Sequence, residues 1–145
     1  MAMLTLMKAQ KIIKLALHES ARRQLKPLCV VVLDERGALK AAAAADGTSL
    51  MRFEIAFGKA YGALGLGMGS RAIHKMALER PYFVSAYGAA TDGRMVPVAG
   101  GVLIRNARGA IIGAVGVSGD TSDADEACAL AAIAGVGLTG DGGAG

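Results

Sequence analysis

Three probable strands near the end of the chain are joined by connections of only a few residues, and this spacing constrains the fold most. Residues 95–99, 101–106 and 110–117 are rich in Val and Ile, with a turn at residues 106–109. Strands joined so closely pair antiparallel, because a parallel crossover needs a dozen or more residues. The spacing therefore predicts an antiparallel sheet and excludes a repeated strand-helix-strand fold.

The earlier part of the chain adds a hairpin and most of the helices. Residues 28–33 form an apolar run, and residues 38–45 return as its partner strand after a turn. Helical spacing of apolar residues predicts helices over residues 4–25, 50–64 and 123–136, and a shorter helix that Ser70 caps and Pro81 ends. The order α-β-β-α-α-β-β-β-α predicts an α+β fold with a five-stranded antiparallel sheet flanked by helices.

Length and composition indicate one domain with a core of small side chains. The 145 residues include 21 glycines and only three Tyr, three Phe and no Trp, while 53% are hydrophobic, which excludes a disordered chain. Residues 1–136 are predicted to form the single domain. The glycine-rich residues 137–145 are predicted to be a disordered tail.

Charge and cysteine content limit the partners and the compartment. A net charge of +4, with no basic run interleaved with aromatic residues, argues against binding of nucleic acid. No run of apolar residues is long enough for a membrane span. Cys29 and Cys128 are isolated and have the character of buried, reduced thiols, so we expect a cytoplasmic protein.

A basic helix face carries the more informative of the two histidines. Lys14, His18 and Arg22 follow one another at intervals of four and share one face of the first helix. An imidazole is a common metal ligand, and the flanking cations suit the carboxylates of an anionic ligand. The alternative is a solvated basic face with no ligand.

A second set of residues suits chemistry on a small organic acid. Arg52 and Lys59 share a face of the second helix, and they or Arg94 would bind a carboxylate, while Asp125 or Glu126 would move a proton. Acidic residues at the start of a helix also stabilise its first turn, and the basic ones also suit a solvent face. Both interpretations stay open at the level of sequence.

The last third of the chain resembles a known family. The run Gly100-Gly101-Val102, the segment Gly-Ala-Val-Gly-Val-Ser-Gly at residues 113–119, and Asp125-Glu126 before an alanine-rich helix are similar to the C-terminal signature of the GlcG/HbpS heme-binding family. That family includes the C-terminal domain of PduO-type proteins. The resemblance extends over about residues 4–136.

The resemblance implies a profilin-like fold, a homo-oligomer that is often an octamer, and heme as cofactor in some members. It implies that His18 is the axial ligand to the iron, with Lys14 and Arg22 near the propionates. Three further residues are implied to contact a cofactor: Gly100, Gly101 and Ser118.

Three functions are consistent with these observations. The first is a heme-binding or heme-handling oligomer. The second is an isomerase, tautomerase or lyase acting on a small organic acid in a catabolic pathway. The third is a non-catalytic structural or regulatory protein, so the sequence leaves open whether the chain is an enzyme.

Overall fold

The computed structural model describes residues 3–144, which form five helices and five strands. The helices are α1 (Leu6–Arg22), α2 (Arg52–Leu66), α3 (Ser70–Glu79), α4 (Pro81–Ala90) and α5 (Ser122–Gly135). The strands are β1 (Cys29–Asp34), β2 (Leu39–Ala44), β3 (Gly101–Arg105), β4 (Ile111–Ser118) and β5 (Thr139–Asp141).

The strands form one antiparallel sheet in the order β2-β1-β4-β3-β5. Strand β1 pairs with both of its neighbours, so that Val31 lies opposite Ala42 of β2 and Gly116 of β4. The predicted α+β class and the five-stranded antiparallel sheet with flanking helices are confirmed.

Helices cover both faces of the sheet, because alternate residues of the central strands point to opposite sides. Val30 and Val32 pack with α1 and α5 in the larger core. Val31 and Leu33 pack on the other face against α2, which presents alanines to the sheet. The small side chains let α2 approach the sheet closely.

Two elements between α3 and β3 differ from the prediction. Pro81 was expected only to end a helix, but it also begins α4, where its fixed φ and missing N–H suit the first helical position. The strand predicted at residues 95–99 does not form. Pro97 has no N–H for a ladder, and Val96 instead donates its N–H to the carbonyl of Gly58 in α2.

The C-terminal segment also differs, since the predicted disordered tail contains β5. The guanidinium of Arg105 in β3 contacts the carboxylate of Asp141 at 3.0 Å, and Gly142 accepts a hydrogen bond from the N–H of Arg71. The free edge of β3 thus orders a segment that has no apolar pattern of its own. Gly145, the last residue of the predicted tail, lies outside the described residues.

We expect a chain that ends at Leu138 to lose about 2 kcal/mol of unfolding free energy, because it lacks the β3 pairing and the contact with α3. Urea denaturation followed by circular dichroism measures this loss. A control chain lacking only residues 144 and 145 retains the contacts of Asp141 and Gly142 and should match the full chain. Equal stability of both truncated chains would show that β5 does not stabilise the fold.

Candidate functional site

The signature residues meet where the end of β4 turns into α5. The ammonium of Lys59 in α2 donates to the carbonyl oxygen of Val117 at 2.8 Å and to Oδ2 of Asp125 at 3.2 Å. The side chains of Lys59 and Asp125 are only 2% and 1% exposed. The carboxylate of Asp125 also accepts the N–H groups of Gly119 and Asp120. This pair therefore ties α2, β4 and α5 together.

Glycines make room for the lysine head. Gly100 has φ +123°, and a Cβ atom there would lie 2.8 Å from both Nζ of Lys59 and the carbonyl oxygen of Val117. Gly101 donates its N–H to Oγ of Ser70 at 2.7 Å, and a Cβ atom on it would lie 2.2 Å from the carbonyl oxygen of Lys59. The two glycines thus serve close packing around the buried pair.

Burial and the neighbouring negative charge shift the pKa of Lys59 in opposite directions. Burial lowers the pKa of Lys59, and the nearby carboxylate of Asp125 opposes that shift. Neither residue lines the cavity beside α3, the one beside Tyr61 and Tyr87, or the groove between α1 and β2. The arrangement favours a structural role for the pair and does not favour the enzyme on a small organic acid.

The other cations considered for that enzyme contact different partners. Arg52 donates to the buried Oγ of Ser118 at 3.1 Å. Arg94 lies over the ring of Tyr61, 4.7 Å from its centroid, and donates to the carbonyl of Thr91. The set therefore does not form one carboxylate site.

Glu126 follows Asp125 in the chain, but its side chain binds a different partner. Its carboxylate contacts Nε of Arg71 in α3 at 3.1 Å, and Asp123 binds the same guanidinium. These two carboxylates raise the pKa of Arg71 further above its usual value. Arg71 therefore stays charged and joins α3 to the first turn of α5.

The basic face of α1 lies on the surface, as its spacing predicts. Lys14, His18 and Arg22 are all exposed. The guanidinium of Arg22 contacts Glu19 at 2.6 Å, and together with Arg23 it holds the pKa of Glu19 at about 2. None of the ion pairs within residues 3–144 involves Lys14. Lys14 is thus free to bind an anion, while Arg22 is shared with Glu19.

A groove of about 630 Å³ lies between α1 and β2, and its lining includes Lys14 but neither His18 nor Arg22. Its walls are mostly apolar, with Leu6, Ile13 and Leu17 on α1 and residues 41–43 on β2. Lys14 and Lys40 also line it. Lys14 therefore belongs both to the groove and to the basic face that carries His18.

The other histidine lines a cavity that was not predicted. One face of α3 contributes Arg71, His74, Lys75 and Leu78 to a cavity of about 470 Å³, opposite residues 121–123 at the start of α5. The spacing i, i+3, i+4, i+7 places these α3 residues on one helix face, as the sequence would have indicated. The opposite wall comes from a distant segment, which local spacing does not reveal.

Two kinds of feature are absent from residues 3–144. No group of three or more His, Cys, Asp or Glu side chains within residues 3–144 is arranged to hold a metal ion. Over the same residues, no helix has the length and apolar character that crossing a membrane requires.

Comparison with known proteins places these features in context. The family model described as "Haem degrading protein HbpS-like" matches residues 4–134. A comparison with curated proteins gave no match.

Several solved structures share the fold. A complex of PduOC with heme is 21% identical, with a TM-score of 0.84 over 94% of this chain and 97% of that chain. HbpS is 25% identical, with a TM-score of 0.80 over 94% of this chain and 92% of its own. Klebsiella pneumoniae protein ORFY is 23% identical, with a TM-score of 0.81 over 92% and 91% of the two chains.

Proposed function

This chain belongs to the HbpS-like family of heme-degrading proteins, and from that membership we propose that it binds or handles heme, with His18 as axial ligand. The single observation that carries the proposal on the chain itself is the exposed His18 between Lys14 and Arg22 on one face of α1. A neutral imidazole nitrogen is a common ligand of heme iron.

The residues present fit the chemical groups of heme. The imidazole of His18 is accessible, and Lys14 offers an unpaired cation one helical turn away for a propionate carboxylate. Arg22 would contribute a second cation, shared with Glu19. The groove between α1 and β2 supplies the apolar surface that a porphyrin macrocycle needs.

Bound heme would supply an iron with open coordination positions and a conjugated ring. The chain would contribute binding and orientation. His18 would offer its imidazole nitrogen, Lys14 would fix a carboxylate, and Leu17 on the neighbouring side of α1 would exclude water from the groove. Gly100, Gly101 and Ser118 are proposed to support this site only indirectly, through the packing of α2 and β4.

We further propose that the protein forms a homo-oligomer, with an octamer as the expected size. Three large apolar side chains are exposed close together at the start of α2: Leu50, Met51 and Phe53. Clustered exposed apolar residues mark interaction surfaces in soluble proteins. Burial of such residues between copies would lower the free energy of the assembly.

A reducing compartment suits the cysteines, and we propose the cytoplasm. Cys29 and Cys128 are both free and buried. Burial raises the pKa of both thiols, to about 11 for Cys128, so that they remain protonated and unreactive at neutral pH.

Titration of the protein with hemin tests the function. We expect a saturable Soret band with a fixed ratio of heme to protein, and a loss of affinity of at least about tenfold in His18→Ala, because the axial bond is removed. Absorption spectroscopy gives both the band position and the stoichiometry.

His74→Ala is the matched control, since it removes the other histidine from a helix surface. It should keep the wild-type band and affinity. Loss of the band in His74→Ala with retention in His18→Ala would contradict the ligand assignment. A wild-type protein that gives no saturable band would contradict heme binding itself.

A further inference from the structure

The cavity between α3 and α5 has the features of a second ligand site, separate from the basic face of α1. Arg71, His74 and Lys75 of α3 form one wall, and the start of α5 forms the opposite wall. Its volume of about 470 Å³ falls within the usual range for small-molecule sites.

The charges in the cavity are not equivalent. The guanidinium of Arg71 is paired with both Asp123 and Glu126, and of these two carboxylates only Asp123 belongs to the lining. The same contacts fix Asp123, the acidic residue in the lining. Lys75 takes part in none of the ion pairs found within residues 3–144. The charged residues of the lining are Arg71, Lys75 and Asp123, which sum to one positive charge, and Lys75 is the cation outside the ion pairs. It lies next to an imidazole that can donate an N–H.

The cavity also has an apolar part. Leu78 lies one turn beyond Lys75 and is 74% exposed, and Ala99 contributes to the same lining. A ligand that covers Leu78 would remove apolar surface from water, which favours binding. A purely inorganic anion would leave this surface exposed.

From this combination we propose that the cavity binds a small organic carboxylate with a short apolar chain. Its carboxylate contacts Lys75 and His74, and its chain lies against Leu78 and Ala99. A cation does not suit the site, because the nearby carboxylate of Asp123 is already bound to Arg71. The proposal goes beyond heme binding and does not depend on it.

Butyrate is a suitable probe, and butyramide is its uncharged counterpart. The test is ligand-observed NMR with the full chain in the absence of heme. The resonances of butyrate should broaden when protein is added, and the broadening should follow a saturable binding curve. The resonances of butyramide should stay sharp. Lys75→Gln should weaken butyrate binding by about fivefold, as expected for loss of one accessible ion pair. The double variant Lys75→Gln, His74→Gln should weaken it by at least about tenfold.

Lys8→Gln is the matched control, because Lys8 is an exposed lysine of α1 remote from the cavity lining. It should bind butyrate like the wild type, and circular dichroism should show that every variant is folded. Equal butyrate affinity in the wild type and in the folded double variant would overturn the proposal. Equal binding of butyramide and butyrate would also overturn it. Both outcomes are independent of the hemin titration.

Discussion

Replacement of Lys59 by Met is expected to lower the free energy of unfolding by about 3–5 kcal/mol, the usual cost of removing one partner from a buried ion pair. The variant keeps the length of the side chain but removes the ammonium. The carboxylate of Asp125, only 1% exposed, would then keep just the N–H groups of Gly119 and Asp120. Urea denaturation followed by circular dichroism at fixed protein concentration measures the effect.

Two further variants distinguish the loss of the buried ion pair from an unspecific effect of replacing a lysine. The double variant Lys59→Met, Asp125→Asn should be more stable than Lys59→Met alone, because no unpaired charge stays buried and the amide oxygen still accepts one of the two N–H groups. Lys8→Met, which alters an exposed lysine, should change stability by no more than about 0.5 kcal/mol. If Lys59→Met is as stable as Lys8→Met, the buried pair does not stabilise the junction.

The partner of Lys59 illustrates what local spacing does not reveal. Seven-residue spacing grouped Lys59 with Arg52 on one helix face, but the two side chains have different partners. Lys59 binds Asp125 and Arg52 binds Ser118, each 66 residues further along the chain. Helix periodicity reports which side chains share a face, whereas the contact across that face depends on how α2 packs on the sheet.

The sheet was predictable where the chain carries its own pairing signal. Short connections identify the antiparallel pairs β1–β2 and β3–β4 within the sequence itself. Strand β5 carries no such signal, because the segment Thr139–Asp141 is short and contains glycine. It becomes a strand because β3 offers a free edge and Arg105 binds Asp141.

The basic face of α1 follows from sequence alone, since its members lie four residues apart on one helix. The cavity at α3 does not, because residues 121–123 belong to a distant segment that lies opposite His74 only in the folded chain. The ion pairs of Arg71 with Asp123 and Glu126 hold the start of α5 opposite α3. A cationic helix face thus becomes a candidate site only once a distant element closes it.

The second large effect on the free energy of unfolding is expected at Gly116, where α2 packs directly on β4. A Cβ atom on Gly116 in β4 would lie 1.9 Å from the carbonyl oxygen of Ala56 and 3.1 Å from the Cβ of Ala60. The first contact is with backbone, so it cannot be relieved by a side-chain rotation. Gly116→Ala must therefore move α2 away from the sheet, and we expect it to cost about 3 kcal/mol or more of unfolding free energy.

Gly88→Ala makes the same chemical change in α4, where a Cβ atom would meet no heavy atom within 4 Å. Because alanine is favoured over glycine inside a helix, this variant should gain up to about 1 kcal/mol. Opposite signs for the two variants in the same denaturation experiment would identify backbone packing as the cause. A Gly116→Ala protein as stable as the wild type would show that α2 shifts freely, and the close packing that positions Lys59 beside Asp125 would then not be required.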